Sequence, residues 1–238
     1  MRSRAAPVSS VVLALTLALL VVAPRAAAQA TAPASEPTTG RGRFEVDARL
    51  GYAVGNGYLT GNAELSDSVS HQVPITIGAG HRSAKGTYVG AYFGYGVLAT
   101  KEGSAACPSG WNTCRGHAIR FGLEMLFHLR PHRSVDPWVG FGIGYEWLTH
   151  HASLPQSRGD LTDTFDYEGS EILNLQSGVD FEVSPAIAIG PFVTLTVASF
   201  REVAVERTGT VTVPRATTTL TAWHEWAILG VRGTFGLF

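Results

Sequence analysis

The two cysteines are the first residues in this sequence that could carry chemistry. Cys107 and Cys114 lie close together in the stretch Cys-Pro-Ser-Gly-Trp-Asn-Thr-Cys. In an oxidising compartment such a neighbouring pair is most simply a disulfide. A redox or metal site favours a Cys-x-x-Cys spacing or histidine ligands beside the cysteines, and this stretch has neither. The spacing therefore predicts a structural disulfide.

Charged residues that alternate with apolar ones form the second candidate group. In residues 44–54, Glu45, Asp47 and Arg49 alternate with side chains such as Val46 and Leu50. Later segments repeat this pattern, which places further charges on one face of each segment. The predicted set of interior charges is Glu45, Asp47, Arg49, Arg120, Glu124, Glu146, Asp180, Glu182 and Arg232. Buried charges persist only when they are paired and hydrogen-bonded, so this face predicts ion pairs.

Three histidines could in principle gather a metal ion. His117 lies at the start of one apolar-alternating segment, and His150 and His151 follow the end of the next. Their spacing matches no fixed ligand pattern, which indicates solvated rim residues instead. We expect no metal and no cofactor.

A two-residue alternation of apolar side chains positions all of these groups. Each alternating segment is about as long as a transmembrane strand, and alternation of this kind predicts β-strands with one apolar face. The predicted strands cover residues 43–54, 72–80, 87–98, 117–129, 137–148, 171–183, 187–198 and 223–237. Eight is an even number, as single-chain bacterial outer-membrane barrels require. The predicted fold class is an all-β, eight-stranded antiparallel transmembrane up-and-down barrel.

The N-terminus predicts export. Arg2 and Arg4 precede an apolar run over residues 11–22, and three alanines at 26–28 form a small-residue cleavage site. The run is shorter than the roughly 20 residues of a spanning helix, which favours a signal peptide over an uncleaved anchor. We expect a signal peptide at 1–28, a disordered periplasmic linker at 29–42 and the barrel at 43–238.

Composition separates a membrane barrel from its alternatives. Hydrophobic residues make up 45% of the chain, yet no stretch beyond the signal approaches the roughly 18 apolar residues of a membrane helix. The signal segment holds three of the arginines, so acidic residues outnumber basic ones in the rest of the chain. This balance excludes nucleic acid as a partner. A soluble lipocalin-type barrel would need a solvated outer face, but the face opposite the apolar one is too rich in Gly and too poor in Lys.

Connection lengths predict the orientation. The connections after strands two, four and six are short, and Arg130 to Asp136 is one of them. The other connections are long, at residues 55–71, 99–116, 149–170 and 199–222. Outer-membrane barrels have short periplasmic turns and longer extracellular loops. We therefore expect both termini in the periplasm and the long loops outside the cell.

With its signal peptide, eight alternating strands, long loops and terminal Phe238, the chain resembles the small outer-membrane barrels of Gram-negative bacteria, of the OmpA, OmpX and OmpW type. The stretches at 178–185 and 190–193 are similar to barrel proteins of myxobacteria. The resemblance implies outer-membrane lipid, lipopolysaccharide and the barrel-assembly machinery as partners. Phe238 is in the inward phase of strand eight, which departs from the family pattern and implies a bulge near Gly236 or a frayed end.

One enzyme hypothesis follows from a related resemblance. Lipid A deacylases are barrels of similar size that use a His-x-Ser pair with a carboxylate, and His151 and Ser153 match that spacing. Ser153 would be the nucleophile, His151 its base, and Glu146 or Asp160 the residue that orients the base. The predicted pair lies in a loop without supporting neighbours, and we expect no enzyme activity.

Two classes of function remain. An eight-stranded barrel is just wide enough for side chains to fill it, and closure of strand eight on strand one brings Arg232 near Asp47 and Glu45. A filled interior with long loops predicts a role in envelope structure or in binding an extracellular ligand not identified by the sequence. Because inward acids outnumber inward arginines, the alternative is a narrow cation-preferring channel, or lateral diffusion of small apolar solutes as OmpW-type proteins suggest.

Overall fold

A closed ring of eight antiparallel strands makes up the part of the chain that the computed structural model describes, residues 42–104, 107–111, 113–131, 133–157 and 160–237. Each strand pairs with its neighbours in sequence, and β8 closes on β1. The elements are β1 (Arg43–Gly57), α1 (Leu65–Ser68), β2 (Val69–Arg82), β3 (Thr87–Thr100), β4 (Thr113–His128), β5 (Val135–Leu154), β6 (Leu161–Ser184), β7 (Ile187–Thr208) and β8 (Val213–Leu237). The predicted fold class is confirmed. No helix among these residues is long and apolar enough to cross a membrane.

The apolar side chains of the strands face outward. Leu123, at the middle of β4, is 63% exposed, and Ile143 and Leu229 have similar exposures. The aromatic residues Tyr52, Trp223, Phe44 and Phe235 are exposed on the same outer face, toward its two borders. Exposed apolar surface that continues around a ring is costly in water and favourable in hydrocarbon. The outer face is therefore the membrane-facing one, and the inner face holds the polar residues.

The strands differ in length, and this makes the two ends of the barrel unlike. At the short-turn end, where β1 begins and β8 ends, the turns are brief and Gly86 adopts a positive φ of 89°. At the opposite, extended end, β5 to β8 continue well beyond β1 to β4. Strands are formed here by residues that were all expected to lie in loops, namely 149–154, 161–170, 199–208 and 213–222.

Polar pairs explain these extensions. Arg207 makes two hydrogen bonds to the carboxylate of Asp163, and Arg215 contacts Asp166 at 2.7 Å. The Thr149 hydroxyl also donates to Asp166, at 2.9 Å. Cross-strand pairs of this kind stabilise sheets, and Phe165, Val203 and Leu220 of the extensions also pack against the apolar cluster of the lumen. A search for apolar alternation does not detect such strands.

Several predictions concern residues outside this description. The signal peptide at 1–28, residues 29–41 of the linker, and Phe238 lie outside the described residues. The pairing of β1 with β8 runs one to one from Phe44 opposite Leu237 to Gly57 opposite His224. The described part of this seam therefore has no bulge at Gly236, and the other expected possibility, a frayed end at Phe238, lies outside the described residues.

Substitution of Leu123 by Arg tests the assignment of the outer face. A charge at this position, near the midplane of the apolar band, should reduce the free energy of unfolding in lipid by about 2–4 kcal/mol. Val211→Arg is the matched control, because Val211 is similarly exposed (61%) but lies in the turn at the extended end. Urea unfolding in vesicles measures both variants. Equal losses in the two variants would contradict the membrane-facing assignment.

Candidate functional site in the barrel interior

Two arginines hold the carboxylates of β1 inside the barrel. Arg232, on β8, is fully buried and contacts Glu45 at 3.2 Å and Asp180 at 3.0 Å. Its guanidinium also lies 3.6 Å from Asp47. One of its faces covers the ring of Trp138 at 4.8 Å, a cation–π arrangement that suits a desolvated arginine. The closure of β8 on β1 thus places opposite charges together, at the positions where the strand register predicts them.

Arg49 connects this group to β4 and β6 on the opposite side of the lumen. Its Nε donates to Asp47 at 2.7 Å, and its Nη2 donates to Glu124 at 2.6 Å. Its Nη1 donates to the amide oxygen of Gln176 at 2.6 Å, and the amide nitrogen of Gln176 donates to Glu124 at 2.9 Å. Charged hydrogen bonds of this kind are the strong ones, and here they link β1, β4 and β6 across the lumen.

The charged network around Arg49 and Arg232 continues to the short-turn end through residues that were expected to lie in turns. Arg82 ends β2 and Asp136 begins β5, and their side chains meet at 2.6 Å. Arg82 also contacts Glu45 at 3.4 Å, and the Nδ1 of His128 lies 2.9 Å from Asp136. The sequence prediction missed Arg82 and Asp136 because each adjoins a short turn, where strand ends cannot be placed from apolar alternation.

A second charged group lies nearer the extended end. Arg120 contacts Glu146 at 3.0 Å, and the same carboxylate accepts a hydrogen bond from Trp226 at 3.2 Å. The Nε2 of His224 lies 2.9 Å from the other oxygen of Glu146. Arg120 and Glu124 share the inner face of β4, but they belong to different groups.

Glu171 is a buried acid that sequence reasoning missed. Its Oε1 accepts hydrogen bonds from the Tyr92 hydroxyl at 2.6 Å and from Asn174 at 2.7 Å. A register shift between Glu171 and Leu173 changes the phase of β6, so Glu171 points inward together with Asn174. Strict alternation would have placed it among the outward residues. The alternation pattern does not reveal this bulge, and the inward direction of Glu171 was therefore missed.

Glu182 departs from the predicted set. Its side chain keeps the inward phase of Asp180, because the β6–β7 register is constant from Leu173 to Glu182, but it is exposed at the open mouth of the barrel. It lines an open cavity of about 330 Å³ at the short-turn end, together with Arg43 and Arg133. The expectation that Glu182 belongs to the buried network was wrong.

The extended half of the lumen is filled mainly by apolar side chains, with His150 and His224 also buried there. The connection after β1 folds into the barrel and places Leu59 and Leu65, the first residue of α1, in a cluster with Leu148 and Phe200. The Lys101 side chain donates to the carbonyl of Ser66 at 2.6 Å, and this contact ties α1 to the end of β3. Between the charged groups lies a cavity of about 30 Å³, a size that suits water.

The histidines and serine proposed for chemistry lie on β5 and β4, not in a loop. His151 contacts the Thr164 hydroxyl at 3.0 Å, and the Ser153 hydroxyl lies 3.2 Å from that of Thr162. Glu146 points into the lumen and away from His151. The expectation that the pair lies in a loop was therefore wrong, and Glu146 is not placed to orient the ring of His151.

No metal-binding group of side chains occurs among the residues with assigned positions. The rings of His117 and His151 stack at 6.3 Å on the outer face, whereas His150 is buried on the inner face. The three histidines predicted as rim residues therefore separate into two environments. The predicted disulfide between Cys107 and Cys114 is present.

Together these observations define a transmembrane β-barrel with a filled interior. No protein-family model and no curated protein matches the chain. Its fold is similar to the crystal structure of a major outer membrane protein from Thermus thermophilus, with a TM-score of 0.52 and 14% identity over 83% of this chain and 100% of that one. This similarity confirms the predicted resemblance to outer-membrane barrels at the level of the fold.

Two further solved structures match less well. OprG from Pseudomonas aeruginosa has a TM-score of 0.46 and 12% identity over 83% of this chain and 99% of that one. The outer membrane protein AlkL has a TM-score of 0.46 and 12% identity over 88% of this chain and 97% of that one. We draw no conclusion about function from them.

The buried ion pairs predict a large effect of removing Arg232. Arg232→Met leaves the carboxylates of Glu45 and Asp180 without this partner, which should cost about 3–5 kcal/mol of unfolding free energy. Adding Asp180→Asn should recover part of the loss, because residues in contact couple. Urea unfolding of the parent, both single variants and the double variant measures the coupling. Additive effects would show that Arg232 and Asp180 do not form an energetically coupled pair.

His150 predicts a pH dependence at the extended end, beyond the apolar band. Burial, with smaller contributions from His151 and His117, lowers the pKa of His150 to about 4. The unfolded chain then binds more protons than the folded one between roughly pH 6.5 and pH 4. The free energy of unfolding should therefore fall as the pH is lowered through this range, by up to about 3 kcal/mol.

His150→Phe isolates this effect, because the phenyl ring has no titratable nitrogen. Unfolding of the parent and of this variant should be compared at pH 7.5 and pH 4.5. We expect the parent to lose more stability than the variant on acidification. Parallel losses would mean that other groups carry the pH dependence.

Proposed function

We propose that this protein is a closed outer-membrane barrel that serves envelope structure or surface interaction. The observation that supports this function best is the filling of the lumen by two kinds of layer. Arg49 and Arg232 fill the half of the lumen toward the short-turn end, together with their carboxylate partners. Leu59, Leu65 and Phe200 fill the half toward the extended end. A passing ion would have to displace bound arginines and then lose its hydration in an apolar layer, which is costly.

In this proposal the short-turn end, with both termini, faces the periplasm and the extended end faces outside. The contrast between the brief turns and the long extensions of β5 to β8 supports this orientation. The disulfide at the extended end agrees with an oxidising compartment. The exposed apolar band would contact outer-membrane lipid and lipopolysaccharide, and biogenesis would use the barrel-assembly machinery.

A narrow channel for small solutes is the second candidate. The charged groups of the lumen hold more carboxylates than arginines, with His128 beside Asp136 and His224 beside Glu146. The small cavity whose lining includes Arg49, Arg120 and Asn174 provides a place for water between the charged groups. These features would favour cations if the apolar layer opened.

Single-channel recording distinguishes the two candidates. The refolded parent, inserted in a planar bilayer, should give no stepwise current, since both layers must open for ions to pass. A general porin refolded in the same way is the positive control for insertion. Steady channels whose number rises with the amount of folded parent protein, and whose reversal potential shows a preference for cations, would contradict the closed barrel. The channel would then be the better-supported function.

A further inference from the structure

Glu171 differs from the other buried acids of the barrel. The buried carboxylates among the described residues are Glu45, Asp47, Glu124, Asp136, Glu146, Asp163, Glu171 and Asp180. All of them except Glu171 form an ion pair with an arginine. Glu171 accepts hydrogen bonds from two uncharged groups, the Tyr92 hydroxyl and the Asn174 amide. A buried carboxylate without a positive partner is strongly destabilising, so this charge needs a bound cation or a proton.

Unpartnered oxygen atoms lie around this carboxylate. Glu171 Oε2, the amide oxygen of Asn174 and the hydroxyl of Thr196 have no hydrogen-bond partner among the described residues, and each side chain is more than nine-tenths buried. Asn174 lies directly opposite Thr196 in the pairing of β6 with β7, so their side chains are neighbours on the inner face. One proton is shared by at most two oxygens. Three unpartnered oxygens in one place therefore favour an ion with several ligands.

The backbone of β6 creates this arrangement. The register shift between Glu171 and Leu173 brings Glu171 and Asn174 onto the same inner face, although they are three residues apart. Bulges of this kind often re-aim a side chain beside a functional site. On β5, Gly144 lies opposite Glu171, and a Cβ atom there would collide with the Tyr92 hydroxyl. The glycine thus admits the hydroxyl that orients the carboxylate.

The charges near Glu171 determine the valence of the ion. Arg120 lies on β4 and is bonded to Glu146 at 3.0 Å, and His224 on β8 also contacts Glu146. The Nδ1 atom of His224 has no acceptor among the described residues, so a second proton on this ring would be buried without a partner. One arginine then serves two carboxylates, and one negative charge is left over. A monovalent cation balances it, whereas a divalent cation would leave an excess positive charge beside Arg120.

The neighbouring cavity favours a small ion. Its volume is about 30 Å³, and its lining includes Tyr92, Asn174 and Arg120. This space suits roughly one or two water molecules. Such water would complete the ligand shell of an ion and separate the ion from the Arg120 guanidinium. Carboxylate, amide, hydroxyl and water oxygens are the ligands that hard cations prefer.

We propose that Glu171, Asn174 and Thr196 form a binding site for one sodium ion inside the barrel. The carboxylate supplies the charge, and the amide and hydroxyl supply further oxygen ligands from two adjacent strands. The ion would be captured as the barrel closes during folding. The inference goes beyond the proposed function and does not depend on whether the lumen conducts.

The dependence of stability on the cation tests this site. The full barrel is refolded into vesicles of uncharged phosphatidylcholine, and its urea unfolding is measured at pH 7.5 and constant ionic strength in sodium, potassium or N-methylglucamine chloride. A ligand that binds only the folded state stabilises it by mass action. Once sodium saturates the site, a tenfold increase in sodium should lower the unfolding equilibrium constant about tenfold. Potassium should need at least about tenfold higher concentrations, and N-methylglucamine, which is too large, should have no effect.

Two variants and a matched control locate the ion. Glu171→Gln removes the charge and should abolish the sodium dependence. Without sodium, this variant should be more stable than the parent, because no uncompensated charge remains buried. Thr196→Val removes one ligand and should raise the sodium concentration required at least about tenfold. Thr234→Val makes the same change at a buried threonine of β8 nearer the short-turn end, and it should leave the sodium dependence unchanged.

Other results would overturn the site. Equal stability of the parent in the three salts would exclude a bound sodium ion. An infrared carbonyl band of a protonated carboxylic acid, present in the parent in sodium and absent from Glu171→Gln, would identify a proton as the occupant. A sodium dependence that both Glu171→Gln and Thr196→Val retain would place the ion elsewhere. A parent that conducts but keeps its sodium dependence would contradict the closed barrel alone.

Discussion

The charge pairing across the seam between β1 and β8 is the interaction on which the rest of this barrel depends. Glu45 and Asp47 point into a lumen closed off from bulk water, where unpaired carboxylates would be strongly destabilising. Arg232 from β8 and Arg49 from β1 itself neutralise them and extend the pairing to Asp180 and Glu124. Ring closure and charge neutralisation thus require the same strand register. A register slip by one residue would send these charges into lipid.

Much of the fold follows from the sequence because the membrane enforces strict alternation. Where strands cross lipid, every outward residue must be apolar, so segments such as Phe121, Leu123 and Met125 reveal both the strand and its phase. Beyond the lipid this requirement ends. Strands there are held by pairs such as Asp163 with Arg207, whose partners are far apart in sequence. The pattern that predicts the barrel therefore predicts nothing about its extensions.

The same reasoning explains which interior residues could be found. Arg232, Glu146 and Arg120 lie in regular stretches of strand, where position alone gives direction. Glu171 adjoins a register shift in β6, and there one extra residue reverses the direction that alternation assigns. Glu182 has the direction that alternation assigns but lies at the open mouth of the barrel, where its side chain is exposed. Arg82 and Asp136 lie at strand ends, whose positions depend on turn geometry. The errors in the interior set thus lie at a register shift, at strand ends and at the open mouth of the barrel.

The division of the lumen into a charged half and an apolar half also follows from how the strands and the connection after β1 are arranged. The ion pairs bind the strands inside the membrane to one another, so the barrel can hold a sheet that rises above it without lipid support. The apolar cluster around Leu65 and Phe200 then closes the lumen directly below that sheet. Because β1 turns inward to build this cluster, β8 is left with an open edge. The closed lumen and the exposed edge are therefore two consequences of one chain path after Gly57.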